Sequence, residues 1–406
     1  MIPLEEAQRL LAECVKPGRI IDLPLLESLG LALAKSVTAK SDSPRFDVSA
    51  VDGYAVSLDD FAGGLPTLPV SGILEAGTTS REALKHGRTL RIFTGAPVPR
   101  GAHAIVMQED VTIQGDKAVF HKHPAPGLHI RPRGGELHRG EKLFESDTII
   151  TPAVAQTLAA SGYARVKVYA RPIVSIITTG NELRTPGSSL QHGEIWDSNS
   201  IALQGALQAL GITSIRMHHV ADHLASTTRA IRTALERSDI VIVSGGVSVG
   251  ERDYVREACT SNGVREIFWR VSMKPGKPIY FGTARRAGKT KYIFGLPGNP
   301  VSVMVTYQLF VRPAILQMMG HHNTHRSVRG ILATRLTKSD SRLEFVRACR
   351  EYTTGEFPRI VLLESRESHM TTSMAKADCL VVFPAARDRL DAGSEVDVIP
   401  IQWGTY

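Results

Sequence analysis

Short apolar runs alternate with segments of helical length between residues 171 and 319, and this alternation restricts the fold more than any other feature of the chain. The apolar runs are IVSII (173–177), SIRMH (214–218), DIVIV (239–243) and YIFG (292–295). The intervening and following segments predict helices at about 198–210, at about 224–237, near Glu251 and from Pro300. Strands that alternate with such helices predict a doubly wound parallel sheet. Ligands bind these sheets beyond the carboxyl ends of the strands, so the loops there are the candidate site.

The remaining sequence predicts further domains, because a chain of 406 residues is too long for one ordinary core. Leu4, Leu10 and Leu11 share one helical face and predict an N-terminal helix. The leucine spacing of LPLLESLGLALAKSV (23–37) repeats this pattern and predicts a second helix. ITPAVAQTLAASGYARVKV (150–168) predicts a helix followed by a strand. The predicted domains are an N-terminal helical and linker domain (1–44 and 137–170), a small mostly-β domain (45–136), the α/β domain (171–319) and a C-terminal β-barrel (327–406).

The composition limits the classes of ligand and location. A net charge of +8 favours an anionic ligand. The basic residues are dispersed and do not form a run interleaved with aromatics, so nucleic acid is not predicted. No apolar run approaches the ~20 residues that a membrane span needs, and the N-terminus lacks the features of a signal peptide, which favours the cytoplasm. The four cysteines form no CxxC pair, so neither a disulfide framework nor a zinc site is predicted.

A glycine-rich loop, SGGVSVG (244–250), follows the third strand of the predicted sheet. Glycines allow the backbone to approach a ligand, and the start of the next helix adds partial positive charge, so phosphate is the expected ligand. The loop matches neither GxGxxG nor GxxxxGK(S/T), which excludes the dinucleotide and P-loop fingerprints. A tight turn that needs glycine for its geometry alone is the alternative.

Three acidic residues follow three successive strands of the predicted sheet: Glu182, Asp222 and Asp253. Each of them alone is typical of a helix cap or a turn. The carboxyl ends of parallel strands meet at one edge of a sheet, so the three carboxylates together predict one Mg²⁺ site beside the phosphate.

Two further loops are stiffened by proline and glycine. KPGKP (274–278) presents two lysines, which suits an oxyanion pocket, with a solvated basic turn as the alternative. GLPGNPVS (295–302) leads into an apolar helix that Asn299 can cap and in which Pro300 suits the first position. The free N–H groups of this loop and the Ser302 hydroxyl are suited to bind an anion.

The motifs and their order resemble those of one family, the molybdopterin molybdenumtransferases (MoeA-like proteins, related to the C-terminal domain of gephyrin). The resemblance spans nearly the whole chain and is carried by SPRFDVSAVDGYAV, FTGAPVPRGAHAIV, RPRGGE, TTGNEL, DSNS, SGGVSVGERDY, KPGKP and GLPGNPVSV. It implies a molybdopterin-binding-like α/β domain, a C-terminal β-barrel and a homodimer. It also implies insertion of molybdate into adenylylated molybdopterin, with Mg²⁺-dependent cleavage of the pyrophosphate and release of AMP. Molybdopterin adenylyltransferase would act one step upstream.

The resemblance also implies roles for residues at matching positions. The implied catalytic residues are Asp52, Glu182, Asp222 and Asp253, and the last three are also the implied metal ligands. The segments of Asp52 and Thr94 are expected to reach the active site from the other protomer. The residues implied in substrate binding are Thr94, Gly245, Gly246, Ser248, Lys274, Lys277, Pro297, Pro300, Ser302, Arg347, Ser368 and Ser373.

Two other functions remain open at this point. One is the preceding step, adenylylation of molybdopterin by ATP, which a single-domain relative with the same α/β fold performs. The N-terminal modules and the barrel favour the molybdenum-inserting enzyme over it. The other is a non-catalytic scaffold like gephyrin, which loss of the acidic set would favour. All four acids are present in this sequence.

Overall fold

The computed structural model describes residues 1–77, 83–247, 254–322, 327–352, 354–364 and 367–404. The chain forms two compact units. The first unit comprises Met1–Ala34, Asp147–Pro152 and Arg165–Tyr406, and the second comprises Lys35–Ser146 and Ala153–Ala164. Within the described ranges, no helix has both the length and the apolar character needed to cross a membrane.

The described part of the first 170 residues contains two α-helices and twelve strands. They are α1 (Leu4–Cys14), β1 (Ile20–Pro24), β2 (Val37–Thr38), β3 (Val48–Ser49), β4 (Gly53–Val56), β5 (Thr67–Leu74), β6 (Thr89–Ile92), β7 (Ala104–Met107), β8 (Val111–Gln114), β9 (Lys117–Phe120), β10 (Ile130–Arg131), β11 (Lys142–Phe144), α2 (Pro152–Ala160) and β12 (Arg165–Tyr169). Short 3₁₀ turns lie at Leu26–Ser28, Leu58–Phe61 and Gln108–Asp110.

The predicted helix at 4–14 is present, but the second helical repeat predicted at 23–37 is wrong. In its place the chain forms the end of β1, which pairs antiparallel with β12, and one 3₁₀ turn. Pro24 has no N–H to donate and Gly30 takes a φ of 76°, so neither residue continues an α-helix. Burial in this stretch has no helical periodicity, because Leu31 and Leu33 are fully buried whereas Leu26 is 81% exposed.

The second unit is mostly β, as predicted for this stretch. Its sheet has six strands in the order β7-β4-β6-β5-β9-β8. One side of the core is aromatic, where Phe120 meets Tyr54 and Phe61 edge to face. Gly53 begins the central strand β4, and a Cβ there would lie 2.1 Å from the carbonyl oxygen of Val106 on β7, so no other residue fits this pairing.

The α/β domain follows the predicted alternation closely. Its elements are β13 (Val174–Thr179), β14 (Leu183–Arg184), β15 (Ile195–Trp196), α3 (Ser198–Ala209), β16 (Ile215–Val220), α4 (Leu224–Arg237), β17 (Ile240–Ser244), α5 (Val255–Ser261), β18 (Arg265–Trp269), β19 (Met273–Lys274), β20 (Tyr280–Arg286), β21 (Lys289–Leu296), α6 (Pro300–Thr306), a π-helical turn (Tyr307–Val311) and α7 (Arg312–Met318).

The main sheet has the strand order β16-β13-β17-β21-β20-β18 and is parallel only in part. The four strands from β16 to β21 are parallel, whereas β20 and β18 pair antiparallel. The two-residue connection Ala287-Gly288, with φ of 48° and 76°, folds β20 back onto β21 as a hairpin. The prediction of a parallel sheet therefore holds for four of the six strands, and these four precede Asp222, Glu182, the glycine loop and Pro297.

The long helix predicted from Pro300 runs to Met318 with a π-helical turn in its middle. Side chains of this turn and the next bind other elements. The buried Tyr307 donates its hydroxyl to the carbonyl of Ala206 on α3, at 3.1 Å. Gln308 and Arg312 donate to the chain end at Gln402, at 3.0 and 3.1 Å. A π-turn changes the direction of side chains relative to a regular helix. Here these side chains connect the helix to α3 and to Gln402.

The last 80 residues confirm the predicted β-barrel. Their elements are β22 (Val328–Leu332), β23 (Leu336–Thr337), β24 (Leu343–Glu351), β25 (Arg359–Leu362), α8 (Thr371–Lys376), β26 (Cys379–Phe383), β27 (Arg389–Leu390) and β28 (Glu395–Pro400). Five strands run in the order β24-β25-β22-β28-β26, and β26 pairs back with β24 to close the barrel. The short β19, which belongs to the α/β domain by sequence, adds to β24 as a parallel sixth strand.

Candidate functional site

The carboxyl ends of the four parallel strands lie level with one another. Thr179 pairs with Val220 across β13 and β16, and Ser244 pairs with Leu296 across β17 and β21. The loops after these strands therefore leave the sheet at one edge, as expected for a ligand site in an α/β domain.

The loop after β17 requires glycine at Gly245 and Gly246. Their φ values are 96° and 65°, in the left-handed region. A Cβ at Gly245 would lie 2.8 Å from both the carbonyl and the hydroxyl oxygen of Thr179. That hydroxyl is buried and has no hydrogen-bond partner among the described residues. A polar atom buried beside a glycine backbone is suited to a polar ligand, because a buried hydroxyl is normally satisfied.

These loops surround a cavity of about 720 Å³, which we name the strand-end cavity. Its lining includes Thr179, Glu182, Asp197, Ser198, Asn199, Ser244, Gly245, Pro278, Pro297, Gly298, Asn299, Pro300, Ser302 and His369. Asn199, on the first turn of α3, donates to the Ser244 hydroxyl at 3.1 Å and to the carbonyl of Gly298 at 2.7 Å. One amide thus holds two of the loops in register.

Glu182 and Asp222 lie beyond the ends of the neighbouring strands β13 and β16. The two loops are joined at 3.1 Å, where the N–H of Asp222 donates to the side-chain oxygen of Asn181. The third predicted carboxylate, Asp253, and Ser248 of the glycine loop lie outside the described residues. In the part of the chain that is described, no three candidate metal ligands come together.

Glu182 and Asp222 offer the type of ligand atom that Mg²⁺ prefers, carboxylate oxygen. In proteins this ion is usually held by one or two carboxylates, with water and substrate phosphates as the other ligands. Glu182 also faces the strand-end cavity, where a phosphate would lie.

The KPGKP turn forms one wall of a second cavity, of about 320 Å³, which we name the lysine cavity. Its lining includes Lys274, Gly276, Lys277, Pro278, Ser302, Arg342, Glu344, Arg347, Glu367 and Ser368. Gly276 has a φ of 100°, and a Cβ there would lie 2.6 Å from a methyl of Thr306 on α6. The turn is therefore pressed against this helix, which fixes the backbone that carries both lysines.

The barrel contributes Arg347 to the lysine cavity. This residue is 3% exposed, and burial lowers the pKa of its guanidinium. Its Nε donates to the Ser373 hydroxyl at 2.8 Å, and an NH2 group donates to the carbonyl of Glu367 at 3.1 Å. Ser373 in turn donates to the carbonyl of Met370 at 2.8 Å. Ser373 thus lies behind Arg347 and holds it, whereas Ser368 lines the cavity itself.

Asn299 does not cap the helix that follows it, contrary to our expectation. Its side chain makes no capping bond and instead donates to the Ser368 hydroxyl at 3.0 Å. The N–H of Val301 donates to the carbonyl of Ser368 at 3.1 Å. Pro300 stands at the first helical position, as predicted. The loop before α8 is thereby attached to the start of α6.

Asp52 and Thr94 come together in the second unit. One carboxylate oxygen of Asp52 accepts from the backbone N–H and from the hydroxyl of Thr94, each at 2.7 Å. The backbone bond, followed by the hydroxyl bond, lowers the pKa of Asp52. These contacts join the VDGYA and FTGAP motifs into one local structure.

Two residues at these cavities, Asn199 and Glu344, were not predicted from the sequence. Asn199 belongs to the DSNS motif, which was used only for the family resemblance. An amide at the start of a helix that follows a strand end is nevertheless a sequence feature that indicates a polar contact. Glu344 places a carboxylate, 6% exposed, among the cations of the lysine cavity. No local pattern indicated it, because its neighbourhood depends on the pairing of β24 with β19.

Three family models together match most of the chain. Their descriptions are "MoeA N-terminal region (domain I and II)" for residues 2–162, "Probable molybdopterin binding domain" for 175–317 and "MoeA C-terminal region (domain IV)" for 329–401. The α/β domain with the strand-end cavity thus falls in the second match, and the barrel falls in the third.

Curated relatives match over almost their whole length. The molybdopterin molybdenumtransferase of Haemophilus influenzae is 33% identical and covers 98% of each chain. Molybdopterin molybdenumtransferase 2 of Mycobacterium tuberculosis is 35% identical, over 98% of this chain and 99% of the relative. The crystal structure of a molybdopterin biosynthesis MoeA protein from Pyrococcus horikoshii is similar, with a TM-score of 0.80, 28% identity and coverage of 99% and 100%. The chain therefore belongs to the MoeA family of molybdopterin molybdenumtransferases.

Proposed function

We propose that this protein inserts molybdenum into molybdopterin. It binds adenylylated molybdopterin and molybdate and, with the help of Mg²⁺, hydrolyses the pyrophosphate linkage, which releases AMP. The two dithiolene sulfurs replace oxygen ligands of molybdate, and this oxygen leaves as water with the thiol protons, so that molybdenum remains on the pterin dithiolene. As a member of its family, the protein is a transferase of molybdenum cofactor biosynthesis. One observation carries the proposal. The strand-end cavity and the lysine cavity meet at Pro278 and Ser302, so a site for a pyrophosphate adjoins a site for an oxyanion.

The strand-end cavity supplies the pyrophosphate site. Gly245 and Gly246 bring backbone close to it, and the N-terminus of α6 at Pro300 faces it with the partial positive charge of a helix of 19 residues. Asn199 holds the glycine loop and the loop before α6 at a fixed separation. The phosphates are therefore oriented by backbone groups that do not have to move on binding.

The lysine cavity supplies the molybdate site. Molybdate is a tetrahedral dianion, and Lys274, Lys277 and Arg342 surround the space in which it would lie. Cations in a pocket with rigid walls suit an oxyanion, because charge-assisted hydrogen bonds are the stronger ones. The Ser302 hydroxyl, 4% exposed, stands between this dianion and the pyrophosphate. The chain thereby brings the two substrates side by side.

Glu182 and Asp222 are the described residues that would hold Mg²⁺, with Asp253 as the predicted third ligand. When bound, the ion offsets the negative charge that develops on the cleaved phosphoanhydride. The proposal further includes a homodimer, a cytoplasmic location and molybdopterin adenylyltransferase as the source of the substrate. Sedimentation of the purified protein tests the homodimer.

The decisive experiment follows AMP release from adenylylated molybdopterin in the presence of Mg²⁺, with and without molybdate. We expect release to require molybdate, to yield a molybdenum-bearing pterin, and to stop when Mg²⁺ is chelated. Asp222→Asn and Lys277→Met should each lower the rate at least about tenfold, since each removes one charge from the reacting region. Asp116→Asn, at an exposed turn of the second unit, is the matched control and should not change the rate.

Two results would replace this function with another. Formation of adenylylated molybdopterin from ATP would identify the protein as the enzyme of the preceding step. Binding of the nucleotide without either reaction would favour a scaffold.

A further inference from the structure

An apolar cavity of about 580 Å³ opens beside the strand-end cavity. The two cavities share three lining residues, Ser198, Asn199 and Pro300. The remaining wall comes from α3, α6, α8 and the chain end, and its large apolar side chains are Ile201, Met304, Met374 and Trp403. The apolar cavity therefore adjoins the proposed pyrophosphate site at these three residues.

Hydrogen bonds hold the residues on both sides of Trp403 in the chain. An NH2 group of Arg312 donates at 3.1 Å to the side-chain oxygen of Gln402 and at 3.1 Å to the carbonyl of Gly404. Gln308 donates to the carbonyl of Gln402 at 3.0 Å. Arg312 itself is 6% exposed. These bonds hold the chain in place on both sides of Trp403.

The apolar cavity leaves large side chains open to solvent. Ile201 is 57% exposed and Trp403 is 38% exposed, and both face the same space. A contiguous apolar space of this size rimmed by polar residues marks a binding site more often than an inert surface. Two methionines in its wall give it a surface that adapts to a flat ligand.

We propose that the apolar cavity binds a fused heteroaromatic ring of the substrate, packed against Trp403. This inference rests on the proposed function, whose substrate carries such a ring on each side of its pyrophosphate, adenine on one and the pterin on the other. In the substrate, only a few covalent bonds separate the pyrophosphate from a ring. If the pyrophosphate lies in the strand-end cavity, a ring can therefore reach Asn199 and Pro300, where the apolar cavity begins. Stacking on tryptophan suits either ring, because both present a flat π-face.

Tryptophan fluorescence tests this subsite without turnover. The chain has three tryptophans, Trp196, Trp269 and Trp403. All proteins in this titration carry Trp196→Phe, because Trp196 lines the strand-end cavity and would respond to a ligand there. We would titrate them with AMP and, separately, with xanthopterin, and follow the emission with Trp403 intact and with Trp403→Phe. One of the two ligands should quench the protein that retains Trp403, and this quenching should be lost in Trp403→Phe. Quenching by AMP identifies adenine as the ring, and quenching by xanthopterin identifies the pterin.

Kinetics provide the second measurement. Ile201→Glu places a charge in the apolar cavity and should raise the KM for adenylylated molybdopterin about tenfold with little change in kcat, as expected for lost ground-state binding. Ile201 is largely exposed, so the substitution does not threaten folding. Val328→Glu is the matched control, an exposed apolar residue on a barrel strand outside both cavities, and should leave KM unchanged.

The outcomes separate this inference from the proposed function. Quenching that persists in Trp403→Phe, together with an unchanged KM in Ile201→Glu, would overturn the ring subsite even if the wild type releases AMP in response to molybdate. Failure of the wild type to release AMP would instead reject the proposed function. The loss of quenching in Trp403→Phe would still support a ring site in that case.

Discussion

The Nζ of Lys274 lies 3.3 Å from a carboxylate oxygen of Glu344, and the two residues face each other across the paired strands β19 and β24. The carboxylate occupies the lysine cavity, where the proposed ligand is an anion. Glu344 therefore partly neutralises a cation that molybdate would use, and it repels the dianion directly.

Replacing this carboxylate should strengthen anion binding. Glu344→Gln keeps the shape of the side chain and removes its charge, so the Kd for molybdate should fall roughly two- to fivefold, the range of a partly exposed ion pair. Calorimetric titration with molybdate measures the change. Glu351→Gln on the same strand removes an exposed carboxylate that pairs with Arg359 at 2.7 Å, and it should have no effect. Weaker binding by Glu344→Gln would mean that Glu344 serves to position Lys274.

The ionised form of Asp52 should stabilise the protein at neutral pH but not in acid. The two bonds from Thr94 lower the pKa of Asp52 in the folded state. A carboxylate with a lowered folded pKa stabilises the fold above its unfolded pKa of about 3.9, and this contribution is lost as the pH falls through the folded value. The Tm difference between wild type and Asp52→Asn should therefore be largest near neutrality and should shrink below about pH 4.

A double-mutant cycle checks the cause of this pH dependence. Thr94→Val removes the hydroxyl donor and keeps the backbone donor, so Asp52→Asn should lower Tm less in that background than in the wild type. Equal effects in both backgrounds would show that the Thr94 hydroxyl does not act on the carboxylate.

Gly245→Ala should disrupt the glycine loop. The new methyl group would strain the left-handed backbone of this residue and would clash with the two oxygens of Thr179. Together the two effects should destabilise the protein by roughly 3 kcal/mol. Binding of pyrophosphate should be lost as well. Gly263→Ala is the matched control, because Gly263 has a φ of 63° with open space around it, and backbone strain alone costs roughly 1 kcal/mol. Urea denaturation compares the two variants, and equal losses would argue against the clash.

Gln402→Ala should weaken the attachment of the chain end. It removes one acceptor from the buried guanidinium of Arg312, whose pKa is lowered by burial, and leaves the carbonyl of Gly404 as the other acceptor. An unsatisfied buried donor of this kind costs roughly 1–3 kcal/mol. Urea denaturation measures the loss against Gln114→Ala, an exposed side chain on β8, for which we expect less than about 0.5 kcal/mol. A similar small effect of both substitutions would contradict the role of Arg312 as an anchor.

Periodicity predicted the α/β domain well where burial is regular. The helix expected at about 224–237 is Leu224–Arg237, and its buried residues Thr227, Ile231 and Leu235 recur every four positions. The carboxyl ends of parallel strands lie at one edge of the sheet, so the loops that follow them lie close together. For this reason the sequence predicted that Glu182, Gly245 and Pro297 belong to one site. The helix expected at 23–37 failed because leucine spacing alone does not reveal a strand that pairs with a distant partner.

The residues that escaped sequence analysis depend on pairings between distant segments. Asn299 has the sequence signature of a helix cap, but Ser368 competes for its side chain. Glu344 is placed beside Lys274 only by the pairing of β24 with β19. Trp403 lies near the chain end without any motif, and its position depends on hydrogen bonds from the π-helical turn.

The pairing of β19 with β24 also limits how such proteins can be recombined. By sequence, the KPGKP turn lies between two strands of the α/β sheet, but its first residues extend the sheet of the barrel. A chimera joined at residues 320–327 would give Lys274 a foreign strand to pair with and a foreign residue in place of Glu344. The functional boundary between the α/β domain and the barrel therefore lies at residues 273–277. A recombined protein must take the barrel and the KPGKP turn from the same parent.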